Sequence, residues 1–227
     1  MLEELKNCVL KANLSLSKRG LALLTWGNAS GIDRESGLVA IKPSGVPYDE
    51  MTADDIVIVN PDGNVVEGKY RPSTDTPTHL WLYKAFPTVG GIAHTHSAYA
   101  TAFAQAEMPI PSLGTTHADL FCGEIPCTEP LTEEEIAVDY ELNTGRAISN
   151  AVRNFEAVPA ALAAGHGIFT WGRTAEEAAD TAAVAEEIAK IAFLTLCLKN
   201  DAGPIPDFLS DKHYFRKHGK NSYYGQN

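Results

Sequence analysis

Two hydrophobic periods alternate along this chain, and that alternation limits its fold more than any other feature. Leu2, Leu5, Val9, Ala12 and Leu16 recur at helical spacing, with Glu3 and Glu4 near the start, Lys18 and Arg19 near the end, and Gly20 as a stop. Short apolar runs at 38–41 and 56–59 have strand character, and the turn sequence Asn60-Pro61-Asp62-Gly63 leads into 64–67, which predicts a hairpin. Thr76-Pro77 opens a helix that ends by Pro87, residues 90–96 read as a buried strand, and a further helix follows near 98–106. Thr132 with Glu135 and Thr174 with Glu177 fit capping boxes, the second ahead of an alanine-rich helix over about 175–199. Strands and helices interleave throughout, which predicts an α/β layered sandwich; the βαβ regularity of a dinucleotide-binding domain and its GxGxxG are both missing.

At 227 residues the chain is long enough for one continuous core, and it has no repeat or low-complexity linker; a single domain over 1–227 is expected. A hydrophobic share of 44% with 21% charged residues is that of a soluble globular protein. The net charge of -11 repels a phosphate backbone, so nucleic acid is an unsuitable partner, whereas a local pocket of amides and one or two cations can still hold a small anion. Cys8, Cys122, Cys127 and Cys197 form no CxxC pair and the N-terminus does not read as a signal peptide, which points to a reducing cytoplasm. The longest apolar run, within 188–198, is interrupted by Lys190 and Thr195 and is too short to span a bilayer, so no membrane association is expected.

Four places carry chemistry. On a strand, residues two apart share a face, so His94 and His96 project side by side at a spacing that suits one metal ion. His166, between two glycines and after the apolar segment 158–164, supplies a third imidazole; three such ligands leave positions open for substrate. Asp75, just before the helix at Thr76, is either a plain helix cap or a catalytic carboxylate. Three loops, Thr25-Trp26-Gly27-Asn28, Lys42-Pro43-Ser44-Gly45 and Ser73-Thr74, are rich in glycine, hydroxyl and amide groups with one cation among them, and suit a phosphate. His117 and Asp119 form either an acid/base element or a solvated turn. The aromatic and basic tail, from about 207 through Lys217-His218-Gly219 to Tyr223-Tyr224-Gly225-Gln226, is expected to dock, on its own domain or on a neighbouring subunit.

Taken together, Thr25–Asn28, Lys42–Val46, Asp75-Thr76-Pro77-Thr78-His79, Gly91–Ser97, Gly114–Asp119 and the tail resemble the class II aldolase/epimerase family, in its L-ribulose-5-phosphate 4-epimerase branch, nearly end to end. The resemblance implies a three-layer α/β/α fold around a mostly antiparallel sheet, and a homotetramer with sites between neighbouring subunits. It also implies a divalent ion, usually zinc, with manganese or cobalt also accepted by such ligands. Carried over residue by residue, it makes His94, His96 and His166 metal ligands with Asp75 a metal-associated carboxylate. Gly27, Asn28, Ser44, Gly45, Ser73 and Thr74, with Lys42, would hold the substrate phosphate. Asp119 and Tyr224 would form an acid/base pair, Tyr224 arriving from the adjacent subunit. Sister aldolases carry Glu where Asp75 stands, which favours the epimerase branch.

The implied reaction interconverts L-ribulose 5-phosphate and D-xylulose 5-phosphate. The hydrogen on the fourth carbon is not acidic, so inversion there needs cleavage of the bond to the third carbon, rotation of the aldehyde fragment and re-addition through an enediolate. Two other functions share the fold: an aldolase or dehydratase acting on another ketose phosphate, and a non-catalytic interaction module like the adducin head, which has no need of three ligand-ready histidines.

Overall fold

The structure is a computed structural model that describes residues 2–219 and 222–225; Gln226 of the tail motif, with Lys220, Asn221 and Asn227, lies outside the described residues. Strands β1 (Asn28–Ile32), β2 (Val39–Ile41), β3 (Val57–Val59), β4 (Val65–Glu67), β5 (Gly91–Thr95), β6 (Ala160–Ala163) and β7 (Gly167–Gly172) form one sheet in the order β4-β3-β2-β1-β5-β7-β6. Every neighbouring pair is antiparallel. The helices are α1 (Leu2–Lys18), α2 (Thr76–Ala85), α3 (Ala98–Gln105), the short α4 (Thr115–Ala118), α5 (Glu133–Ala151), α6 (Ala175–Leu198) and α7 (Asp207–Lys217). Among the described residues no helix is long and apolar enough to cross a membrane.

Side-chain alternation along the strands sorts the helices into two layers. Val39, Val57, Val59, Ile92, Phe169 and Trp171 share a core with Leu82 and Tyr83 of α2 and Ile148 of α5. Ala40, Ile58 and Ala93 face the other way, onto α1 and the N-terminal half of α6, and Ile168 and Leu162 onto α3 and the C-terminal half of α6. The result is the expected α/β/α sandwich. Helix α6 lies close against the sheet because its inner face is made of small side chains: Ala175, Ala178, Ala179, Ala182, Ala185, Ala189 and Ala192 are all buried.

The predicted hairpin forms between β3 and β4, its turn held by the Asn60 side chain, which accepts from the amides of Asp62 and Asn64. The capping box at α5 is complete. At α6 it is half made: Thr174 caps Glu177, but the Glu177 carboxylate accepts from the amide of Arg173 instead. Two strands lie where none was expected, β1 in the small polar run Asn-Ala-Ser-Gly-Ile and β7 immediately after His166.

The turn before β3 carries an acid-sensitive contact. The Asp55 carboxylate accepts from the Thr52 amide and hydroxyl and pairs with Lys69 at 2.8 Å. Lys69 first, then Thr52, lower its carboxyl from an ordinary 3.8 to about 2. A carboxyl depressed in the folded state stabilises above its unfolded value and loses that contribution as pH falls through the folded one. In urea unfolding, wild type should exceed Asp55→Asn at neutral pH, and the difference should close between pH 3.8 and about 2.

Candidate active site

Strands β1, β5 and β7 are adjacent in the sheet, and the site is built where β1 and β7 begin and β5 ends. Antiparallel pairing sets Asn28, the first residue of β1, opposite His94 near the end of β5, and His94 opposite Phe169 of β7. His96 follows β5 by one residue, and His166 precedes β7 by one. The Phe169 ring stacks under His94, with centroids 4.1 Å apart and planes 15° apart.

The three imidazoles converge through one nitrogen each. His94 Nε2 lies 3.0 Å from Nε2 of both His96 and His166, and the three ligand atoms are all within 4.8 Å of one another. His94 Nδ1 donates to the Ile168 carbonyl at 3.0 Å, which turns the lone pair of its Nε2 inward. Burial lowers the pKa of all three rings, His94 to about 3, so they are neutral at physiological pH and ready to donate lone pairs. The set therefore fits a divalent ion that accepts nitrogen ligands.

Beside the triad is a cavity of about 530 Å³ lined by Thr25, Trp26, Gly27, Asn28, Lys42, Pro43, Ser44, Gly45, Ser73, Thr74, Asp75, His96 and His166. All three predicted anion loops thus meet in one space with two of the three histidines. Gly27 has φ +73°, and a Cβ there would stand 2.7 Å from the His94 carbonyl oxygen, so the first loop reaches the strand only with glycine at this position. Tyr48, which no sequence pattern singled out, anchors this loop: its hydroxyl lies 2.9 Å from the Gly27 carbonyl and 3.0 Å from that of Trp26. Asn28 Oδ1 is buried without a partner among the described residues, which leaves an acceptor for a ligand.

Asp75 occupies the N-cap position of α2 yet makes no capping bond. Its carboxylate accepts instead from the Asn28 amide at 2.6 Å. Burial acts to raise its pKa, but His94, His79 and the Asn28 bond outweigh it and hold the carboxyl below its usual range. Lys42 is fully buried with its ammonium on the carbonyls of Val46, Pro43 and Thr25 and over the Tyr48 ring, 4.8 Å from the centroid. Burial lowers its pKa to about 8.

Asp119 and Tyr224 lie elsewhere. Asp119 accepts from Arg216 and His213 of α7 and pairs with Lys217, while His218 Nε2 meets its carbonyl at 3.0 Å; Arg216 and Lys217 also sit over the Tyr224 ring. The tail thus docks on its own chain at α4, and neither residue lines the cavity beside the histidines. Burial acts to raise Asp119, but the bonds from Arg216, His213 and Lys217 prevail and keep it ionised. His117 does not share that environment: it is buried, with Nε2 on the Gly123 carbonyl at 2.6 Å, and serves to close the loop after α4.

A seven-stranded antiparallel α/β/α sandwich with three imidazoles converging beside a cavity lined by amide and hydroxyl groups is the architecture of the metal-dependent class II aldolases. The sequence profile of that family, described as Class II Aldolase and Adducin N-terminal domain, matches residues 7–193, and the chain belongs to it. It is 52% identical over 227 residues, 99% of its length and 100% of the relative's, to L-ribulose-5-phosphate 4-epimerase UlaF of Salmonella paratyphi A. Among solved structures it resembles an L-fuculose 1-phosphate aldolase at 29% identity, covering 92% of this chain and 94% of that one with a TM-score of 0.78. It also resembles the L-fuculose-1-phosphate aldolase of Thermus thermophilus, at 26% identity over 89% of this chain and 100% of that one, with a TM-score of 0.69.

Proposed function

We propose that this protein is a metal-dependent L-ribulose-5-phosphate 4-epimerase. The observation that carries the reading is the convergence of three imidazole nitrogens beside one amide- and hydroxyl-lined cavity, in a chain that matches such epimerases over its whole length. His94, His96 and His166 hold the ion, with Asp75 beside them. A divalent ion bound there, zinc before manganese or cobalt, supplies Lewis-acid stabilisation of negative charge on the ketone end of the substrate.

The protein's own groups do the rest. Gly27, Asn28, Ser44, Gly45, Ser73 and Thr74 grip the phosphate through amides and hydroxyls, and Lys42 adds positive charge behind them. That grip has to persist after the bond between the third and fourth carbons breaks, so that the aldehyde fragment turns over in place and is attacked on its other face rather than released. A base takes the proton from the hydroxyl on the fourth carbon during cleavage, and an acid returns one on re-addition. Asp119 and Tyr224 are our candidates, one for each face. Neither lines the cavity of its own chain, and Tyr224 reaches a substrate where a neighbouring copy brings its tail to the site. We therefore take the enzyme to be a homotetramer with shared sites. Four free thiols fit a cytoplasmic location.

The test is conversion of L-ribulose 5-phosphate to D-xylulose 5-phosphate by the purified protein, with and without a chelator, followed by added zinc or manganese. Chelator-sensitive conversion restored by metal supports the assignment; a metal-loaded protein with no conversion excludes it and favours an aldolase or dehydratase. Within the same assay, Lys42→Met should raise KM about 10- to 100-fold with a smaller effect on kcat, as expected for loss of a charge-assisted contact. Wild-type affinity should also fall as pH rises past about 8, where Lys42 loses its proton.

A further inference from the structure

His166 is reached from outside the cavity by a side chain on α5. That helix breaks at Asp139 (φ -163°, ψ 87°), and the Asp139 carboxylate accepts from the amide of Leu142 at 3.1 Å. Asp139 therefore caps a second helical segment whose first residue is Tyr140. The Tyr140 hydroxyl lies 2.9 Å from Nδ1 of His166, while Nε2 of the same ring lies 3.0 Å from Nε2 of His94. The turn that carries His166 is fixed independently: Gly165 donates to the Ala104 carbonyl and Ala164 to the Thr128 hydroxyl.

We propose that Tyr140 is a positioning residue for the metal, acting through His166. The inference rests on the metal reading of the histidine triad given above. A neutral imidazole carries one N–H, so a ring that donates its Nε2 lone pair must bear its proton on Nδ1, and that proton needs an acceptor. For His94 the acceptor is the Ile168 carbonyl, which can only accept. For His166 it is a phenol oxygen, the one partner of Nδ1 among the described residues. A phenol can accept or donate, so Tyr140 supports the Nδ1–H tautomer when an ion is bound and can supply the proton to Nδ1 when none is. The His94 ligand is thus set by the sheet, and the His166 ligand is set by a side chain that the break at Asp139 aims at it.

Tyr140→Phe removes only the oxygen. Zinc affinity is measured by chelator competition on wild type and variant, together with histidine nitrogen NMR of the zinc-loaded proteins and the thermal midpoint of the chelator-treated ones. A positioning role predicts a roughly 10- to 100-fold weaker affinity, a displaced His166 Nδ1 signal and an unchanged metal-free midpoint. Equal affinity with an unmoved His166 signal overturns the proposal, as does weakened binding accompanied by a lowered metal-free midpoint, which marks a folding defect. Wild type that binds no zinc at all removes the metal reading itself, a result separable from equal binding by both proteins.

Discussion

A His94→Ala variant should no longer hold a divalent ion and should lose about 10²- to 10⁴-fold in kcat/KM, the equivalent of the several kcal/mol a metal contributes to charge stabilisation. His94 is the hub of the cluster, since its Nε2 lies 3.0 Å from both other Nε2 atoms, so its removal deletes the ligand nearest to both of the others. It also deletes the ring stacked on Phe169, so some loss of stability accompanies it. Metal content and the thermal midpoint of the chelator-treated protein distinguish the two effects. Full metal content with residual activity near wild type would show that the triad is not the metal centre.

Gly91→Ala should be among the most destabilising single changes in the chain, costing about 3 kcal/mol or more and lowering the thermal midpoint by about 6–12 °C. A Cβ on Gly91 would be driven into the backbone of Thr174 and Ala175, where α6 begins. Backbone at a helix start cannot swing aside as a flexible side chain can, so relief requires lifting α6 from the sheet along its alanine face. Gly203→Ala is the matched control, because a Cβ there meets nothing within 4 Å and should change stability by no more than about 0.5 kcal/mol. Equal midpoints for the two variants would mean that the close approach of α6 to the sheet is not a rigid feature.

Elements that bury one regular face were legible from their periods. Helices α1, α2, α3 and α6, the β3–β4 hairpin and strand β5 fall within a residue or two of their expected bounds, because helical spacing, caps and turn residues act locally. Strand β1 left no such mark. Its Asn-Ala-Ser-Gly-Ile sequence holds a central position because β2 and β5 pair with it on both sides, and its Ser30 hydroxyl meets His79 and Tyr83 from α2. A strand whose place is decided by its neighbours need not announce itself by an apolar run.

By itself the sequence determined the fold class, the residue types of the site and their grouping into a histidine set and three anion loops. These follow from local spacing: His94 and His96 share a strand face, and hydroxyl, amide and glycine residues make loops that can cradle an anion. Only the tertiary structure decided which groups meet. The register of β1, β5 and β7 brings Asn28, His94 and His166 to one end of these strands, and turns Asp75 from a helix cap into a partner of Asn28. The break in α5 delivers Tyr140 to His166, and the docking of α7 on α4 keeps Asp119 and Tyr224 apart from the cavity of their own chain. The physical reason is the same in each case: spacing along a chain specifies which face a side chain takes, whereas the distance between two faces is set by pairing and packing across the whole sheet.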